Sequence, residues 1–274
     1  MAIAWTMDKL GPMCRTADDC GLVLSVIAGY DSRDHDSLPH GLAEFAYSAS
    51  SDPQFRIGKV TNARPRLPAG FEIAVGDALA VIESTEATIS DAEFPDGPYE
   101  QAAELTILME AAASFHELIH SGRCAELDDP LARINGYASL EFSANDYLQL
   151  ARLERVRKVL QERMGKLFDR FDVWLLLLSR ARQNCCVSRR GARRSTLLLK
   201  TPRARHPNES RAPDGVSSLC GLSALTVPCG FSKENLPYGL GFMARALQDG
   251  NILAAANLFQ THTDWHRQYP AIEA

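Results

Sequence analysis

The run Val-Trp-Leu-Leu-Leu-Leu at 173–178 constrains this chain more than any other stretch. It has neither a period of two nor one of 3.6, so it keeps no face for water. Six residues fall far short of the ~20 a membrane helix needs. A short run that is apolar on both sides suits a strand buried inside a sheet. Such a strand needs helices packed against it.

The flanking patterns supply those helices. Before the run, Leu148, Leu150, Ala151, Leu153, Val156, Val159, Leu160, Met164 and Leu167 recur at helical spacing, which predicts a helix from Ser143 to about Phe171. Near the start, Thr16 precedes Asp18 and Asp19 in the manner of a helix cap. Cys20, Val23, Leu24, Ile27 and Ala28 then mark one apolar face, and Gly29 stands where a left-handed cap is expected. Further helices are predicted over 68–84, 98–121 and 248–261. Strands are predicted over 55–61, 86–94, 224–231 and 238–245, the last two joined by a Lys-Glu-Asn turn. Strands alternating with helices indicate an α/β fold with a mixed β-sheet covered by helices. Residues 31–54, rich in Asp, Ser, Pro and His, read as a loop.

Composition narrows the setting. The chain has 274 residues and seven cysteines, an odd number without metal-ligand spacing. That usage fits a reducing cytoplasm better than a disulfide framework. No run is long enough to span a membrane, and the N-terminus shows no secretory signal pattern. The net charge of −5 hides an asymmetry: residues 179–212 carry nine Arg and one Lys against a single Glu. Clustered Arg attracts phosphate, but the tract has no aromatic residues for stacking on bases and no strand or helix period. A solvated loop and a segment read in an altered frame are the competing readings. Nucleic acid is the least favoured partner.

Few constellations carry chemistry. His-Glu-Leu-Ile-His at 116–120 matches a zinc-hydrolase motif: His116 and His120 share a helix face and Glu117 stands as a base for metal-bound water. A third ligand is needed, and only an unremarkable residue such as Glu141 is at hand. The adjacent pairs Ser50–Ser51 and Ser217–Ser218 lack a Gly-rich strand-to-helix turn. Cys229, at the end of a strand, reads as a buried thiol rather than a nucleophile.

Trp-Thr-Met-Asp-Lys-Leu-Gly-Pro-Met-Cys-Arg-Thr at 5–16, continuing to Asp34, resembles the amidase signature family, as does the segment 219–245 with its Leu-Thr-Val-Pro-Cys-Gly-Phe core. The ending His-Thr-Asp-Trp-His-Arg-Gln-Tyr-Pro at 262–270 is similar to that of such enzymes, and 111–120 resembles a helix of the family. Where the family has Pro, Gln and Gly, this chain has Ser223, Gly241 and Ala244.

The resemblance implies an amidase-signature-like fold lacking its N-terminal core, and hydrolysis of carbon–nitrogen amide bonds without a cofactor. It implies a Ser–cis-Ser–Lys triad with a Gly-rich oxyanion loop, all placed before the segment that here begins at Trp5. The expectation is therefore a single incomplete domain over 1–274, without catalytic residues of its own and inactive alone. A small amide is the implied substrate. Trp5 and Asp8 are the substrate-pocket candidates, with packing and turn capping as the competing roles. Exposed sheet edges would favour association with another chain. A non-catalytic binding module, half of a split amidase, and a zinc hydrolase centred on His116, Glu117 and His120 are the alternatives.

Overall fold

The computed structural model describes residues 4–41, 44–47, 54–62, 69–123, 144–178, 215–233 and 235–268. The basic tract at 179–212, Ser50–Ser51 and Glu141 lie outside them. Helices α1 (Ala17–Ile27), α2 (Ala69–Glu83), α3 (Tyr99–Ser114), α4 (His116–His120), α5 (Ala144–Leu167), α6 (Val216–Cys220) and α7 (Asp249–Thr261) surround five strands. The strands are β1 (Arg56–Val60), β2 (Thr88–Ala92), β3 (Val173–Leu178), β4 (Ser223–Phe231) and β5 (Pro237–Ala244), with a short 3-10 turn at Trp265–Arg267.

They form one mixed sheet in the order β2-β1-β3-β5-β4. β1 runs parallel to β2 and β3, while β5 is antiparallel to both β3 and β4. The apolar run at 173–178 becomes the central strand, held between β1 and β5. Its side chains alternate as a pleat requires: Val173 and Leu175 enter one core, and Trp174 enters the other.

The first core packs α1, α2 and α7 on one face through Cys20, Phe71, Val75, Ile252 and Phe259, against Ile57, Leu240 and Phe242 of the sheet. The second packs α3, α5 and α6 on the opposite face through Ala102, Leu160, Met164 and Leu219, against Val60 and Met243. Burying each large apolar side chain contributes ~1.5–3 kcal/mol. The Arg56–Asp172 ion pair at 2.7 Å, which ties the starts of β1 and β3, is half-exposed, and such pairs contribute ~0.2–1 kcal/mol. The two cores, not the ion pairs, hold the layers together.

Several sequence expectations meet corrections. Thr16 does cap α1, its hydroxyl oxygen accepting from Asp19 N at 3.0 Å; the chain leaves α1 through Ala28 in extended conformation, and Gly29 follows with a positive φ of 153°. The expected apolar face of α1 is only half covered: Cys20 is buried, whereas Val23 and Ile27 are exposed. The helix expected over 98–121 is interrupted at Phe115, giving α3 and α4. Among the described side chains of α5 the buried apolar positions are Leu153, Leu160 and Met164, while Val156 and Val159 face out; those of Leu148 and Leu150 lie outside the described ones.

Candidate functional site

Residues 4–9 form a turn seated on the second core. Ala4 and Met7 are buried, and both Met7 N and Asp8 N donate to Ala4 O, at 2.9 and 2.7 Å. The Asp8 carboxylate closes the turn by accepting from Ala4 N at 3.2 Å, which is the capping role. Trp5, lifted on this turn, is 76% exposed.

The turn is fixed by a polar network drawn from three helices. Thr6 donates through its N and Oγ1 to the Glu110 carboxylate of α3, at 3.0 and 2.6 Å. Arg157 of α5, itself buried, donates Nη1 to Thr6 Oγ1 and Nη2 to Thr6 O, both at 2.7 Å. Its Nε donates to Leu219 O of α6 at 2.7 Å. A planar guanidinium offers donors in a fixed fork, so one side chain sets the turn against both helices.

Lys9 reaches the end of α6. Its Nζ donates to Ser217 O at 2.8 Å and Leu222 O at 2.6 Å. Withdrawal from water lowers the Lys9 pKa from its ordinary value, with Asp249 and Cys220 opposing. A lysine therefore stands beside the Ser217–Ser218 pair, a superficial likeness to a Ser-Ser-Lys arrangement. Its ammonium is bound to carbonyl oxygens, however, and the serines sit in a five-residue helix between left-handed Gly215 and Gly221. Lys9 acts here as a strut.

The remaining chemistry-bearing residues lie apart. Burial pushes the Cys229 thiol up to about 12 and that of Cys220 up to about 11, so both are protonated at neutral pH and poor nucleophiles. His116 and His120 share one face of α4, ring centroids 4.1 Å apart, and Glu117 is exposed beside them. Among the described residues no group of three or more His, Cys, Asp or Glu side chains is placed to hold a metal. An open cavity of about 510 Å3 is lined by Asn62, Phe94, Asp96, Arg163 and Lys166 among others. Part of its wall is paired internally: Asn62 pairs with the Phe94 backbone in both directions and Arg163 donates to Asp96 O. Neither Trp5 nor Asp8 lines it. Sequence reasoning missed Arg157 and Lys9, because their acceptors, main-chain carbonyls and the Thr6 hydroxyl, lie far along the chain.

The departures from the family pattern also gain a place. Ser223 and Ala244 are partners across β4 and β5, and Gly241 faces Thr226 in the same ladder.

The comparisons with known proteins agree on one family. The amidase family model matches residues 1–253. The chain is 27% identical to a glutamyl-tRNA(Gln) amidotransferase subunit from Cupriavidus taiwanensis, over 99% of this chain and 59% of that protein. It is 25% identical to an amidase of Pseudomonas putida, over 99% of this chain and 56% of that protein. In fold it is similar to a bacterial aryl acylamidase of the amidase signature family, with a TM-score of 0.66 at 21% identity, covering 94% of this chain and 53% of that one. The chain thus spans less than three fifths of the length of each of these relatives. It belongs to the amidase signature family.

Proposed function

We propose that this chain is the later portion of an amidase that hydrolyses carbon–nitrogen bonds of a small amide, and that it is inactive until combined with the portion carrying the Ser-Ser-Lys machinery. The observation that supports this most is the pairing of a family match over 1–253 with coverage of only 56–59% of the relatives. The chemistry of the described residues agrees. The lysine beside a serine pair is occupied by carbonyl oxygens, and the buried thiols are held protonated. Losing oxyanion donors alone costs ~10²–10³ in rate, and losing the nucleophile removes the covalent route.

In this reading Trp5 and Asp8 border the substrate pocket. Trp5 supports it by its exposure on a turn anchored at both ends. For Asp8 the bond to Ala4 N favours the capping role. Cytoplasmic residence is part of the same proposal. Among the described residues no helix is long and apolar enough to cross a membrane.

The test is reconstitution. The chain is produced together with the portion of the Pseudomonas putida amidase that it does not span, and amide hydrolysis is followed by ammonia release. Activity that appears only in the combination, and is lost when the supplied portion's nucleophilic serine is replaced, supports the proposal. Equal activity with and without this chain contradicts it.

A further inference from the structure

The sheet ends on one side in a strand with one free edge among the described residues. β4 is nine residues long and, among the described residues, pairs only with β5. Exposed edges of this length are normally shortened, charged or covered, because their unpaired N–H and C=O groups attract other chains. Here Pro228 and the irregularity between Pro228 and Gly230 are the only interruption within the strand.

The chain that passes this edge does not cover it with polar groups. Ala4 and Met7 belong to the second core, and Ala17 and Cys20 to the first, so residues 8–16 cross from one face of the sheet to the other. Both ends of the crossing are pinned near β4. Lys9 binds Leu222 O at its start. Arg15 Nη1 binds His266 O at 3.1 Å, in the 3-10 turn that meets Phe231 through Trp265. Six extended residues reach ~20 Å, which together with two long side chains spans the strand. Between the pins Leu10 is 100% and Met13 99% exposed, and residues 10–14 make no backbone hydrogen bond to β4 among the described residues.

The helix that follows is apolar in the same way. Leu24 packs on the first core, yet Leu22, Val23, Val26 and Ile27 are exposed, Val26 at 83%. A helix apolar on every side after its first turn is built for burial on every side. Monomers rarely expose apolar patches beyond ~300–600 Å², and this chain exposes Leu10 and Met13 on the crossing and Leu22, Val23, Val26 and Ile27 on the helix it leads into.

We infer that the open edge of β4, the crossing residues Leu10 and Met13, and the outer side of α1 form one docking surface, whose occupant is the portion of an amidase domain that this chain does not span. This rests on the function proposed above. The occupant is argued from length: the 56% of the Pseudomonas putida amidase that is covered leaves 44% of that protein without a counterpart.

The experiment is co-expression of tagged chain with the uncovered portions of the Pseudomonas putida amidase and of the Cupriavidus taiwanensis protein, followed by affinity purification and light scattering. Three forms are compared: the unaltered chain, Leu10→Glu/Met13→Glu/Val26→Glu, and Leu105→Glu on the opposite layer as a control. All these positions are half-exposed or more, and Met13→Glu alone serves as a milder variant should the triple one fold poorly. The expected result is a one-to-one complex whose yield falls at least tenfold in the triple variant and several-fold with Met13→Glu, but not in the control. A complex indifferent to these substitutions overturns the docking surface and leaves the functional proposal standing. Absence of a complex with either relative overturns both. A homodimer lost in the triple variant overturns the occupant, since the surface would then belong to a second copy.

Discussion

Arg157 and Thr6, 151 residues apart, are joined by two hydrogen bonds of 2.7 Å, one to the threonine hydroxyl and one to its carbonyl. The same guanidinium holds Leu219 O, so the turn that carries Trp5 is referenced to both α5 and α6.

Arg157→Ala removes all three bonds and leaves Leu219 O in a buried setting and the Thr6 oxygens in a partly buried one. Bonds to charged groups contribute ~1.5–3 kcal/mol each where buried, and the two to exposed Thr6 fall at or below the low end of that range. The expected loss is about 3 kcal/mol of unfolding free energy, measured by urea titration. Arg157→Lys recovers less than half, because an ammonium lacks the planar fork.

Gly58 of β1 pairs with Trp174 of β3, and a Cβ there would lie 2.8 Å from the indole. Trp174 is buried among Phe94, Phe168 and Phe171, so the ring has no room to retreat. Gly58→Ala is expected to destabilise by ~1–3 kcal/mol, the usual cost of overpacking. Thermal unfolding checks it, with Gly76→Ala as the control, since nothing stands within 4 Å of a Cβ at that position.

The buried thiols set an alkaline limit. A free thiol titrates near 9, whereas burial raises Cys220 to about 11 and Cys229 to about 12. Between these values the unfolded chain has released protons that the folded chain keeps, so ionisation favours unfolding as pH rises. The thiol contribution is intact below pH 9 and is lost progressively towards pH 12. Cys229→Ala should flatten that decline. At about pH 8, below the free-thiol range, iodoacetamide should modify exposed Cys14 well before Cys220 and Cys229, with peptide mass spectrometry locating the adducts.

The metal alternative has its own readout. With two histidines on α4 and no third protein ligand among the described residues, the purified chain is expected to carry far less than one zinc per molecule. His116→Ala/His120→Ala should change neither folding nor reconstituted hydrolysis. Stoichiometric zinc lost in that variant would revive the hydrolase reading.

What the sequence discloses is local. The cap at Thr16, the buried strand at 173–178 and the two strands near the C-terminus each depend on neighbours a few residues away, and each is present. Sheet order is not legible there, because the insertion of β5 between β3 and β4 depends on pairing across more than 60 residues. Arg157 escapes notice for a related reason. On a charge-rich helix one arginine among several reads as a solvated residue, and the convergence of Thr6 and Leu219 from opposite ends of the chain is what draws it into the interior. The half-bare face of α1 is the reverse case: the pattern at Val23 and Ile27 predicts burial that the described residues do not provide.

The most direct measurement is amide hydrolysis by the purified chain alone, assayed by ammonia release across gel-filtration fractions with several simple amides. The proposed function predicts no turnover above buffer in the fractions that contain the 30.1 kDa chain. Turnover that follows the chain through the column, and that a substitution within the chain such as Lys9→Ala abolishes without unfolding it, would contradict that proposal.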